Sequence, residues 1–237
     1  MALGTSLLAR LQRLIERSYD WNTGIEDVGP FVLGDAQYRR LFQEKEFFEE
    51  LPESDPGPRT LMTWQGPRIR LSVYYPDALI AGLERKNPLR RLDEENVGPL
   101  SVLVEELDHL LMLAWCARHR RRVGLMELEF HANLTKFMVV AHLVSRLSRR
   151  PRLTRGQRLW VMHHLFHGAG DGLPAPFRQR YHTAARLAVR FLAHLELMPG
   201  SDRLRALRRV ARKPWELQRA CLESPEPQGR LGLLLGI

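Results

Sequence analysis

A helical pattern of apolar residues runs almost without a break from Pro99 to Arg212. It predicts five helices, at 99–122, 125–148, 155–167, 176–198 and 202–212. The first of these spans about six turns and ends before Gly124, where the second begins. Because successive helices of similar length are joined by mostly short loops, we expect an antiparallel helical bundle.

The first 98 residues are less regular. An amphipathic helix is predicted from about Ser6, its possible N-cap, to Tyr19, and an acidic, then Pro/Gly-rich linker at 44–58. Two short runs follow, and the second alternates apolar and polar residues, which predicts a β-hairpin at 59–75. We therefore expect an α+β, predominantly α fold. It would have a mixed N-terminal region, 1–98, and a helical bundle, 99–237, or form one continuous domain.

Cysteine usage and hydropathy limit the class of protein. Cys116 and Cys221 are far apart and lie outside any CxxC motif, so a disulfide framework is excluded. Arg10 and Arg13 interrupt the first apolar run, which therefore does not resemble a signal peptide. Since apolar runs stay well short of the ~20 residues of a membrane span, we expect a cytoplasmic protein without a membrane partner. The strong bias to Arg over Lys indicates a high-GC bacterial genome.

The charge is divided along the chain. Residues 1–115 carry 13 basic and 19 acidic side chains, a net charge of −6, whereas residues 116–237 carry 23 and 8, a net charge of +15. Arginines recur on one side of the last two predicted helices, and basic loops are predicted at 117–122 and 146–158. The predicted anion-binding residues on the two helices are Arg178, Arg186, Arg190, Arg205, Arg208, Arg209 and Arg212.

This basic half leads to the first functional hypothesis, a binding or accessory protein whose C-terminal helices engage nucleic acid or an acidic protein. The alternative is a solvated basic face that contacts the acidic N-terminal half. Aromatic residues are not interleaved with the arginines, which argues against a platform for stacking single-stranded bases. The loop before the 176–198 helix is also too long for a helix-turn-helix motif.

A second candidate site combines acids and histidines on the two central helices. Glu106 and His109 share a helical stripe with Val102 and Leu113, which predicts that they face inward. The Glu-x-x-His spacing also occurs in helical carboxylate-bridged metal sites. On the next helix lie the polar residues Glu129, His131 and Lys136. If the helices pair, these groups can meet.

Three interpretations of this cluster remain open. It can be an ion-pair network that fixes how the helices pair. It can be a site for a divalent transition metal held by Glu106, His109, Glu129 and His131. It can also be a metal-free acid/base site in which Glu106 or His109 is poised by Lys136. The latter two would make the chain a helical enzyme, although the absence of HExxH, P-loop and GxSxG motifs disfavours the common hydrolase and nucleotidase classes.

Overall fold

The computed structural model describes residues 2–43, 57–66, 68–168, 170–171 and 174–224. In this part of the chain the helices are α1 Ala2–Tyr19, α2 Asp35–Gln43, α3 Asp77–Arg85, α4 Val97–Arg118, α5 Leu125–Leu147, α6 Arg155–Phe166, α7 Ala175–Leu197, α8 Gly200–Arg212 and α9 Trp215–Glu223. The strands are β1 Val32–Leu33, β2 Arg59–Gln65 and β3 Arg68–Tyr74. The expected α+β fold, predominantly α, is confirmed at this level.

Several boundaries differ from the prediction. Helix α4 ends at Arg118, because Arg120 adopts a left-handed conformation with φ 51° and closes the helix. Helix α6 begins after Thr154, whose side chain accepts a hydrogen bond from the Gln157 amide, while the Gln157 side chain accepts one from the Thr154 amide. Strand β1 and helix α9 were not predicted, since both are too short for a periodic pattern. The predicted linker at 44–58 lies mostly outside the described residues, as does the tail at 225–237.

The sheet is small and rests on the helices. Strand β3 is central, antiparallel to β2 and parallel to β1, with Thr60 opposite Val73. Val73 is fully buried, and Tyr75 just after the strand donates a hydrogen bond from its hydroxyl to the Leu103 carbonyl of α4 at 2.7 Å. A two-stranded ribbon alone is marginally stable, so this packing against α4 is what holds it.

Helices α4 and α5 form the centre of the molecule. They pack against each other, α4 also contacts the sheet and α1, and α5 contacts α6 and α7. Residues 127–136 of α5 are all buried, as expected of a helix covered on every side. The antiparallel order of the predicted bundle stays a prediction.

One hydrophobic core includes Leu11 and Val73 from the predicted N-terminal region and Leu107 and Phe191 from the predicted bundle. The boundary between an N-terminal region and a helical bundle at residues 98 and 99 stays a prediction. Among the described helices, none is long and apolar enough to cross a membrane.

Candidate functional site

The polar residues predicted on α4 and α5 are in the interior. Exposed fractions of Glu106, His109, Glu129, His131 and Lys136 are all 9% or less. The inward stripe is nevertheless shorter than predicted, because Val102 is 37% exposed. The buried part of the stripe begins one turn later, where Thr60 of β2 covers α4 by hydrogen bonding to both the carboxylate and the carbonyl oxygen of Glu106.

Two close contacts between charged or polar groups organise the first of two buried clusters. The Lys136 ammonium donates to Glu105 Oε2 at 2.6 Å, and the Thr60 hydroxyl donates to Glu106 Oε2 at 2.8 Å. His109 Nδ1 lies 3.6 Å from the same Glu106 oxygen. We call Glu105, Glu106, His109, Glu129 and Lys136 the charge cluster.

Helix α7 completes the charge cluster from the other side. Tyr181 lies close enough to the Glu105 carboxylate to help lower its pKa. Arg180 Nε is 3.4 Å from Glu129 Oε1, close enough for an ion pair but without hydrogen-bond geometry. The charge cluster therefore lies where α4, α5 and α7 meet, and it joins three helices.

The cluster shifts the pKa values of its members in opposite directions. Burial alone would lower the pKa of His109, but the hydrogen bond and charge of Glu106, with Glu105 and Glu129, raise it to about 9. Burial would raise the pKa of Glu105, yet Lys136 and His109 lower it. Burial raises the pKa of Glu129 above its usual value. At neutral pH His109 is therefore a cation beside an ionised Glu105.

Two atoms of the charge cluster lack a hydrogen bond. His109 Nε2 and Glu129 Oε2 are buried, and neither has a hydrogen-bonding partner in the described part of the chain. With His109 protonated, one is a donor and the other an acceptor. Such groups are uncommon in protein interiors, where most buried polar atoms are bonded. They are the chemically unsatisfied part of the cluster.

His131 belongs to a second buried cluster. Its Nδ1 is 2.8 Å from Asp108 Oδ2, while the Thr135 hydroxyl donates to Asp108 Oδ1 at 2.7 Å. The imidazole stacks against Tyr19 and Trp21, with ring centroids 4.0 and 4.7 Å away. This set ties α1, α4 and α5 together through aromatic and hydrogen-bonded contacts.

The structure thus brings Glu106, His109, Glu129 and Lys136 into one cluster and places His131 in the other. No three His, Cys, Asp or Glu side chains of the described residues are arranged to hold a metal ion. The four candidate metal ligands therefore lie in two groups, because His131 is bonded to Asp108 while Glu106, His109 and Glu129 belong to the charge cluster.

Sequence reasoning missed Glu105, Asp108, Arg180 and Tyr181. Only one stripe of α4 was considered to face inward, whereas residues 106–112 of this helix are buried on every side. A signal was present in the sequence, since α4 has apolar residues around its whole circumference and so has no purely polar face. Contacts from α7 cannot be found from the sequence because they depend on tertiary packing.

Several of the predicted anion-binding arginines bind the protein itself. Arg190 donates to the Leu222 carbonyl at 3.0 Å, and Arg208 donates to the carbonyls of Ser18 and Arg17 at 3.0 and 2.7 Å. Arg212 forms an ion pair with Asp20 at 2.7 Å. Arg208 therefore caps the last turn of α1, where cations are favoured, and Arg212 binds Asp20, the residue that follows this helix.

The other four predicted anion-binding arginines differ in whether they have a partner within the protein. Arg205 lies 3.5 Å from Asp202, which is three residues earlier in α8. Arg178 and Arg209 also interact within the protein. Arg186 is exposed on α7, with no ion pair to any described residue.

A further group of arginines, in the two predicted basic loops, is exposed and forms no ion pair with the described residues. We call these groups the arginine turns: the first lies between α4 and α5, and the second runs from the end of α5 to the start of α6. Their members are Arg120 and Arg122 in the first and Arg146, Arg149, Arg150, Arg152 and Arg155 in the second.

Comparison with known proteins provides no relative. No protein-family model, curated protein or solved structure matches the chain. The chemistry of the described side chains is therefore the basis for assigning a function.

Proposed function

We propose that the chain is a binding or accessory protein that engages an anionic partner, nucleic acid or acidic protein, through exposed arginines of its C-terminal half. The supporting observation is that the arginines of the two turns make no ion pair within the described residues, whereas Arg208 and Arg212 are held by α1. Guanidinium groups bind phosphates and carboxylates through paired hydrogen bonds. The arginine turns therefore have binding capacity that the fold does not use.

Electrostatics add to this support. The second arginine turn places five exposed cations between residues 146 and 155, and like charges so close together repel one another. A polyanion would relieve this repulsion and would be attracted before contact. We also propose that the protein acts in the cytoplasm of a bacterium. The two unpaired cysteines fit a reducing compartment of this kind.

The proposal is tested by fluorescence anisotropy with two labelled probes, a nucleic acid duplex and poly-glutamate, over a salt series. If about six phosphates are contacted, affinity for the duplex should fall by at least a hundredfold between about 50 and 200 mM salt. Binding that does not change with salt, or the absence of binding to both probes at low salt, would contradict the proposal.

A second candidate function is supported by the unbonded atoms His109 Nε2 and Glu129 Oε2. A protonated His109 can donate a proton and Glu129 can accept one, so the charge cluster fits a metal-free acid/base site. It fits the divalent transition metal less well, since His131 is engaged with Asp108. Elemental analysis separates the two: stoichiometric metal that is lost in Glu129→Gln would establish the metal site, and its absence would eliminate it.

A further inference from the structure

Both arginine turns end a helix with the same strained backbone. After α4, Arg120 has φ 51°, and the amides of Arg120 and Arg121 donate to the carbonyls of Ala117 and Cys116 at 3.2 and 2.9 Å. This hydrogen-bond pattern is the Schellman motif. Its left-handed position is the one that glycine normally occupies, because a Cβ is disfavoured there.

The second turn repeats the motif after α5. Arg149 has φ 53°, and the amides of Arg149 and Arg150 donate to the carbonyls of Arg146 and Ser145 at 3.2 and 3.0 Å. A cation near a helix C-terminus is favourable, but a neighbouring residue with ordinary φ would provide the same charge without strain. Arginine at this position therefore lowers stability at two equivalent places, and strained residues cluster at functional sites. Asp20, with φ 56° after α1, has the same conformation but pairs with Arg212, whereas Arg120 and Arg149 form no ion pair with a described residue.

The distance between the turns restricts the partner. Helix α5 separates them and has 23 residues, which corresponds to about 35 Å. A small anion cannot reach both ends of this helix. A long polymer with regular charge can, and one turn of duplex DNA measures about 34 Å.

We propose that the anionic partner is a nucleic acid duplex and that Arg120 and Arg149 contact its phosphate backbone at the two ends of α5. This inference rests on the proposed function. A folded acidic protein would need two carboxylate patches at this separation, whereas a duplex presents phosphates along its whole length. Since phosphate contacts carry no base information, binding is independent of sequence.

The test uses the full chain and the variants Arg120→Gly, Arg149→Gly and the double variant. Arg13→Ala, which removes an exposed arginine of α1, is the matched loss of charge outside the C-terminal half. Glycine relieves the strain, so each turn variant should melt about 2 to 4 °C higher. Affinity for a duplex of about 20 base pairs should nevertheless fall several-fold. The slope of log affinity against log salt should decrease by about one for each arginine removed.

The outcomes separate this inference from the proposed function. If the variants melt higher but bind the duplex as the unsubstituted protein does, Arg120 and Arg149 are not contacts and the inference is overturned alone. If poly-glutamate binds as tightly as the duplex, the partner is an acidic protein and the inference also fails. If the unsubstituted protein binds neither probe, the proposed function fails with it.

Duplex length provides a second measurement. A duplex of about 8 base pairs is shorter than the distance between the turns and should bind more weakly than one of about 20 base pairs by over tenfold. Removing either turn arginine should reduce this advantage of the longer duplex. Equal affinity for the two lengths would contradict contact at both ends of α5.

Discussion

The charges buried between α4 and α5 and the exposed arginines at the two ends of α5 differ in where their partners lie. Lys136 binds Glu105 at 2.6 Å inside the protein, and His131 binds Asp108 at 2.8 Å. Arg149 and Arg152 are exposed and form no ion pair with a described residue. The fold thus requires the first group and does not require the second.

The physical reason is the cost of removing a charge from water. Burying an ion without a partner of opposite charge lowers the free energy of unfolding by several kcal/mol. Interior charges therefore occur together with charges of the opposite sign. Exposed charges are solvated and contribute little to stability whether paired or not. Arg120 and Arg149 combine backbone strain with the lack of an ion pair to any described residue, which is the basis of the proposal that they bind a partner.

The largest expected effect on stability comes from the buried charge cluster. Lys136→Met leaves the Glu105 carboxylate without its cation, and the free energy of unfolding should fall by about 3 to 5 kcal/mol, measured by urea denaturation. The double variant Glu105→Leu with Lys136→Met should recover most of this loss, because neither charge is then unmatched. A double variant that loses the sum of both single effects would show that the pair is not coupled.

Alkaline pH should lower the free energy of unfolding through His109 of the charge cluster. The pKa of His109 is raised to about 9 in the folded protein from 6.5, so its stabilisation is complete below pH 6.5 and is lost as pH rises through about 9. The loss should be on the order of 3 kcal/mol. The difference in unfolding free energy between the unsubstituted protein and His109→Gln isolates this contribution. A difference independent of pH from 6 to 10 would mean that His109 is not held as a cation.

An intermediate effect is expected where an arginine binds the main chain. Arg208→Ala removes the hydrogen bonds to the carbonyls of Ser18 and Arg17 and should cost about 1.5 to 3 kcal/mol. Arg186→Ala, on the exposed side of α7, is the control and should change stability by less than about 0.5 kcal/mol. Thermal melts of both variants check this prediction. Equal effects would remove the distinction between bound and free arginines.

The smallest effect is expected in the second arginine turn. Arg150→Gln and Arg152→Gln should each change the free energy of unfolding by less than about 0.5 kcal/mol, since no described residue pairs with either side chain. Affinity for a nucleic acid duplex should decrease in the same variants. A loss of more than about 1 kcal/mol in stability would show that the fold uses these arginines after all.

Local patterns in the sequence were sufficient for helices α4 to α8 and for part of the site, but not for α9. Apolar periodicity locates α4 to α8, and the apolar stripe shared by Glu106 and His109 predicts the interior positions that both residues have. The end of α4 at Arg118 was missed, because nothing in an arginine-rich segment indicates that Arg120 takes the left-handed conformation that glycine prefers.

Long-range contacts were beyond sequence reasoning. The pairing of His131 with Asp108 and of Tyr181 with Glu105 depends on how α4, α5 and α7 are rotated against one another. The arginines of α8 were predicted to face a partner, yet Arg208 and Arg212 bind the end of α1, about 190 residues earlier in the chain. A helix with a row of arginines has the same sequence pattern whether the arginines bind another part of the chain or a partner molecule.

The most direct measurement combines stability and binding in one variant, in which the arginines of both turns are replaced by glutamine and Arg208 and Arg212 are kept. We predict a melting temperature equal to or above that of the unsubstituted protein and the loss of salt-dependent binding to a nucleic acid duplex. A variant that unfolds at a much lower temperature, or one that binds the duplex with unchanged affinity, would contradict the proposal that these arginines bind a partner and do not stabilise the fold.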